Sequence, residues 1–144
     1  MKTKHQQIIS KIKQFENGTI NDKLKNQYIA FVNNVMEQKT ARLRMSHGIN
    51  TELANYVSEA IKHSNTIQTL YLNNVSSIGT EPIQHIAEAV KHCETMRMLY
   101  LYNSGIGPEG ARHIAEAVKH SHNENIVFEG KDLMENPTTL ILAK

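Results

Sequence analysis

Apolar positions along the chain follow two alternating periods. Leu70-Tyr71-Leu72 and Leu99-Tyr100-Leu101 alternate with period two, as strands do. Val57, Ala60 and Ile61 recur as Ile86, Ala89, Val90 and as Ile114, Ala117, Val118. This i, i+3, i+4 spacing puts one apolar stripe on each of three helices. Before them, residues 5–16 place Ile8, Ile12 and Phe15 on one helical face, and Asn17-Gly18 is a stop signal. A second helix is predicted over Asp22 to Gln38, with Leu24, Tyr28, Phe31, Val32 and Val35 inward. Toward the C-terminus, Ile126-Val127-Phe128 and Thr139–Leu142 read as strands, with a turn at Asn136-Pro137 between them.

The pattern repeats in sequence as well as in period. His85-Ile86-Ala87-Glu88-Ala89-Val90-Lys91-His92 recurs unchanged at residues 113–120, and a third version spans Tyr56 to His63. The copies lie 28–29 residues apart. Such a period means that each unit is one supersecondary element that stacks on its neighbours. Each unit reads as strand, loop, helix. Asn73-Asn74 and Asn103-Ser104-Gly105 supply turn chemistry; Thr80 is a predicted N-cap ahead of Glu81-Pro82, and Pro108-Glu109 opens the last helix. Leu43-Arg44-Met45 takes the place of the first strand. Glu59–Lys62, Glu88–Lys91 and Glu116–Lys119 are i, i+3 pairs expected on a solvated helical surface.

The segments Ile67-x-x-Leu70-x-Leu72 and Met96-x-x-Leu99-x-Leu101, with Ile106-Gly107-Pro108-Glu109-Gly110-Ala111 and the Ala-Glu-Ala-Val helix, resemble a leucine-rich repeat. The period and long helix are similar to the ribonuclease-inhibitor-like subclass, which includes Ran GTPase-activating proteins and the sensor regions of NOD-like receptors. The resemblance implies an α/β solenoid, with parallel strands on a concave face and helices on a convex one. The family's loop asparagine, three residues after the second strand leucine, is replaced here by Val75 and Ser104. The expected organisation is a helical N-terminal cap over 1–40, about three repeats over 41–129, and a C-terminal edge segment over 130–144. A solenoid needs its terminal repeat covered, which the first two helices would do.

Composition narrows the classes of function. The chain has 144 residues, 40% hydrophobic and 21% charged, which suits one folded domain. Apolar runs of four residues, such as Ile29–Val32 and Leu140–Ala143, fall far short of a membrane span. The single cysteine, Cys93, forms no internal disulfide, and the expected setting is cytoplasmic. By analogy with the family, delivery into a host cell by an intracellular bacterium is a second setting. Residues 1–50 carry nine Lys/Arg and three Asp/Glu; residues 51–144 carry seven and eleven. The basic first third is read as a solvated face, with membrane-surface docking of residues 2–15 as its alternative. No Arg-rich run or aromatic interleaving points to nucleic acid.

Candidate chemistry is sparse. His63, His92 and His120 form a ladder at the helix ends, where the C-terminal dipole favours them; no HExxH motif or cysteine set accompanies them, so no metal and no cofactor is expected. Cys93 aligns with Ser64 and Ser121, which predicts a surface position at a helix end. No nucleophile elbow or phosphate loop is present, and no catalytic residue is assigned. What remains is a surface. Strand alternation turns Arg42, Arg44 and Ser46, then Thr69, Tyr71 and Asn73, then Met98, Tyr100 and Tyr102 away from the core. Arg44, Tyr71 and Tyr100 are expected in one row. Tyr and Arg dominate interface hot spots, so the predicted partner-binding set is Arg44, Tyr71, Asn73, Arg97, Tyr100 and Tyr102. The expectation is a non-enzymatic protein-binding module. The alternatives are weak self-association through an open C-terminal edge and regulation of a GTPase, with Arg44 acting in trans.

Overall fold

The computed structural model describes residues 2–16, 20–44, 51–73, 80–102, 107–120, 127–133 and 136–141. Two helices lead: α1 (Lys4–Gln14) and α2 (Asp22–Glu37). Strands and helices then alternate: β1 (Thr40–Arg44), α3 (Thr51–His63), β2 (Thr69–Asn73), α4 (Thr80–His92), β3 (Met98–Tyr102), α5 (Gly107–Lys119) and β4 (Val127–Leu133), followed by β5 (Asn136–Ile141). The strands form one sheet in the order β1-β2-β3-β4-β5; the first four are parallel and β5 is antiparallel to β4. This is a leucine-rich-repeat α/β solenoid with a helical N-terminal cap.

Local chemistry sets the cap. Thr3 begins α1 with a capping box: its Oγ1 accepts from the Gln6 amide at 3.1 Å, and Gln6 Oε1 accepts from the Thr3 amide at 3.0 Å. Two otherwise orphaned donors are thereby satisfied. Asn21 Oδ1 caps α2 by accepting from the Leu24 amide at 2.8 Å. α1 ends with Phe15 in an extended conformation, and the expected stop at Asn17-Gly18 lies outside the described residues. Ile8 and Ile12 of α1 are buried with Tyr28, Phe31, Val32 and Val35 of α2.

The cap and the repeats share one core. Its strand side is Ala41, Leu43, Leu70, Leu72 and Leu99, and its helix side includes Val57, Ile61, Ile86, Val90 and Ile114. Ile67 and Met96, three residues before the first strand leucines, are fully buried beneath the turn that enters each strand. Backbone bonds at that turn fix the repeat spacing. The Gln68 and Thr69 amides donate to the Lys39 carbonyl at 2.8 and 2.9 Å, and the Arg97 and Met98 amides donate to the Gln68 carbonyl at 2.7 and 3.0 Å.

Several sequence expectations change. The helical Glu–Lys pairs are not the partnerships formed: Glu59 Oε2 lies 3.7 Å from Lys4 and 3.5 Å from Lys11 of the cap, and Glu88 lies 3.0 Å from His92. Long lysine stems reach across to another helix, and histidine four residues on meets the same glutamate. Asn136 and Pro137 lie within β5 rather than in a turn. Pro lacks an N–H, which an outermost strand tolerates.

Candidate functional site

Strand register builds the exposed face of the sheet. β1 and β2 pair with Thr40 beside Thr69, Arg42 beside Tyr71 and Arg44 beside Asn73. β2 and β3 pair with Tyr71 beside Tyr100 and Asn73 beside Tyr102. Tyr100 is in turn beside Glu129 of β4. Two rows therefore run across the sheet: Arg42–Tyr71–Tyr100–Glu129 and Arg44–Asn73–Tyr102.

Arg42, Tyr71 and Tyr100 of the first row form a continuous stack. The Tyr71 and Tyr100 rings lie 4.7 Å apart between centroids and only 7° from parallel. Parallel strands sit ~4.8 Å apart, so residues paired in register can stack without changing backbone spacing. The Arg42 guanidinium carbon lies 4.5 Å from the Tyr71 ring centroid, within range of a cation–π interaction. Arg42 is exposed, and both tyrosines are half-buried. Among the described residues, no carboxylate forms an ion pair with Arg42. Each contact contributes on the order of 0.5–1.5 kcal/mol. Their combined effect is to hold three large side chains in one arrangement before any partner arrives.

The expected row of Arg44, Tyr71 and Tyr100 is corrected by this register. Arg42 takes the first place, and Arg44 sits two residues further on beside Asn73. Placing Leu43-Arg44-Met45 against Leu70-Tyr71-Leu72 slips β1 by two residues. Two sequence signals favour the true register. Thr40 and Thr69 both open their strands, and the interval from the second strand leucine to the loop isoleucine becomes six residues in both units, Leu43–Ile49 and Leu72–Ile78. Of the expected binding residues, Tyr71 and Tyr100 come together directly. Arg44, Asn73 and Tyr102 share the second row by backbone position; their side chains lie outside the described residues. Arg97 precedes β3 by one residue and is exposed on the rim where the chain enters the sheet.

Other candidate groups fall elsewhere. Cys93 is fully buried, not on the surface. It lies just past the end of α4, where the chain turns inward toward Met96, and its Sγ is 3.6 Å from Thr95 Oγ1. Ser64, its counterpart, is also buried; Ser121 lies outside the described residues. His63 and His120 are exposed at helix ends, while His92 is engaged with Glu88 on its own helix. Between α4 and α5 a shallow groove is lined by Gln84, Glu88, Lys91, His113, Glu116 and His120. The Gln84 amide nitrogen and His113 Nε2 bridge its walls at 3.0 Å. Among the described residues, no group of three or more His, Cys, Asp or Glu is arranged to hold a metal ion. No described helix is long and apolar enough to cross a membrane.

Comparison with known protein families gives no match, and comparison with curated proteins gives none. Among solved structures, the fold is similar to actin-binding site 2 of leiomodin-1, a leucine-rich-repeat domain, with a TM-score of 0.58 and 19% sequence identity. The match covers 76% of this chain and 61% of that one, so the chain spans less than two thirds of the structure it resembles.

Proposed function

We propose that the chain is a non-enzymatic protein-binding module that works through the concave strand face. The observation that supports this most directly is the Arg42–Tyr71–Tyr100 stack. Large aromatic and guanidinium side chains are already ordered there, yet still reachable by a partner. Ordering side chains before contact removes part of the entropy cost of association. Arg44, Asn73, Arg97 and Tyr102 extend the proposed surface around the stack. The finer assignment to the ribonuclease-inhibitor-like subclass rests on the 28–29-residue period and the full helix in each repeat. We assign residues 1–40 to the cap, 41–129 to the repeats and the remainder to the closing edge.

The test is a paired capture from cell lysate with the wild-type chain and a Tyr71→Ala, Tyr100→Ala, Tyr102→Ala variant, matched for folding by circular dichroism. A protein captured by the wild type and lost with the folded variant is the expected result. Equal capture by both baits, or none by either, rejects the concave face. Filamentous actin is a direct candidate to include, because the solved domain of similar fold is named for an actin-binding site. Co-sedimentation that disappears in the triple variant would identify it as a partner.

A further inference from the structure

We infer that Arg42 anchors the partner and that the segment it receives is acidic. This rests on the concave face being the binding surface and adds which chemistry that surface selects. Three observations lead there. The Arg42 guanidinium carbon lies over the Tyr71 ring, 4.5 Å from its centroid, which holds the group at the start of the row. It is exposed, and no carboxylate pairs with it among the described residues. Its surroundings are cationic: the strands β1 to β3 and the residue before each, 39–44, 68–73 and 97–102, contain Lys39, Arg42, Arg44 and Arg97 and no aspartate or glutamate. Lys39 and Arg97 are themselves exposed.

A guanidinium held over an aromatic ring keeps N–H groups free to meet an incoming acceptor. A carboxylate meets them with two parallel hydrogen bonds, a geometry that a lysine ammonium cannot reproduce. The Tyr71–Tyr100 pair continues from the anchor along the row, so the residue beside the acidic one lies over aromatic surface. Acidic residues flank these segments in the chain and at the far end of the row. Glu37 ends α2 near Lys39, Glu94 lies in the turn before β3, and Glu129 stands at the far end of the row in β4. The acidic end of the partner is therefore directed to the β1 side.

The experiment pans a displayed library of random 12-residue peptides on the immobilised full chain. Synthetic versions of the recovered peptides are then measured by fluorescence anisotropy. Enrichment in Asp and Glu is expected, with affinity falling tenfold or more in Arg42→Gln and severalfold in Arg42→Lys, and weakening with added salt. Circular dichroism controls for folding; Arg42 is exposed, so both variants should fold. Peptides of neutral or basic composition that depend on Tyr71 and not on Arg42 would overturn the acidic assignment and leave the concave-face reading standing. Peptides indifferent to Arg42, Tyr71 and Tyr100 alike, or no enrichment at all, would overturn both. A labelled dT12 oligonucleotide serves as the competing polyanion, and tighter binding to it than to every peptide would overturn the assignment to a protein segment.

Discussion

The Ser64 hydroxyl donates to the Val35 carbonyl at 2.5 Å and ties the end of the first repeat helix to the cap. The same oxygen accepts from the Thr66 amide at 3.2 Å and the Ile67 amide at 3.0 Å. One buried hydroxyl thus closes α3, turns the chain toward β2 and fastens α2. Removing it in Ser64→Ala leaves the buried Ile67 amide and the partly buried Thr66 amide without this acceptor. The expected destabilisation is about 1–3 kcal/mol, toward the lower end because Thr66 Oγ1 also donates to Val35 at 3.2 Å. Urea unfolding measures it, and a variant as stable as wild type would contradict the role assigned to Ser64.

Cys93 occupies the equivalent place one repeat later and is fully buried. A thiol reagent such as DTNB should therefore react with it slowly in the native chain and rapidly in denaturant. The native rate should track the opening free energy as urea is added. Stoichiometric labelling within seconds under native conditions would show that this turn is open.

Two kinds of contact hold α1, and their magnitudes differ. Ile8 and Ile12 are fully buried, whereas the Lys4 and Lys11 pairs with Glu59 are partly exposed. Ile12→Ala should cost about 2–5 kcal/mol through lost burial and a residual cavity. Glu59→Gln should cost no more than ~1 kcal/mol, because solvent screens such pairs. Parallel denaturation curves decide the order, and a larger loss in Glu59→Gln would mean that charge rather than packing docks the cap.

Burial pushes the Tyr28 phenol up to about 12 from an ordinary value of 10.0. Below pH 10 both folded and unfolded chains keep this proton, so it has no effect on stability. Between pH 10 and 12 only the unfolded chain releases it, and folding weakens as pH rises. The slope approaches ~1.4 kcal/mol per pH unit. Tyr28→Phe should remove that part of the alkaline dependence. An unchanged slope in Tyr28→Phe would place the phenol in water.

His63 is shifted the other way, below 6.5, by desolvation of its ring and by repulsion from Lys4 and Lys62, with Glu59 opposing. As pH falls below 6.5 the unfolded chain takes this proton first, so the site's stabilising contribution is present above 6.5 and is lost on acidification. NMR titration of the ring should give a midpoint below 6.5 that rises in Lys4→Gln and falls further in Glu59→Gln. A midpoint that ignores both substitutions would separate α1 from the end of α3.

The repeating unit and the inward-facing side chains are legible in the local pattern of residues. Helical spacing marked Val57, Ala60 and Ile61 and their copies Ile86, Ala89, Val90, Ile114 and Ala117, and strand alternation marked Leu70, Leu72 and Leu99; all of these are buried. These readings depend on local periodicity, which repetition reinforces. The sequence also placed Tyr71 and Tyr100 on the outer face of their strands. It did not determine what stands beside them. A slip of one residue turns every side chain to the opposite face, but a slip of two preserves inside and outside. Alternation was therefore equally satisfied by Arg42 or Arg44, and the pairing between strands decided for Arg42. Cys93 and Ser64 followed the same logic. A polar residue past a helix end reads as surface until the chain folds back over it, and that return is a long-range event. The closing strand β5 was visible as an apolar run, but its antiparallel direction came only from where β4 left an unpaired edge.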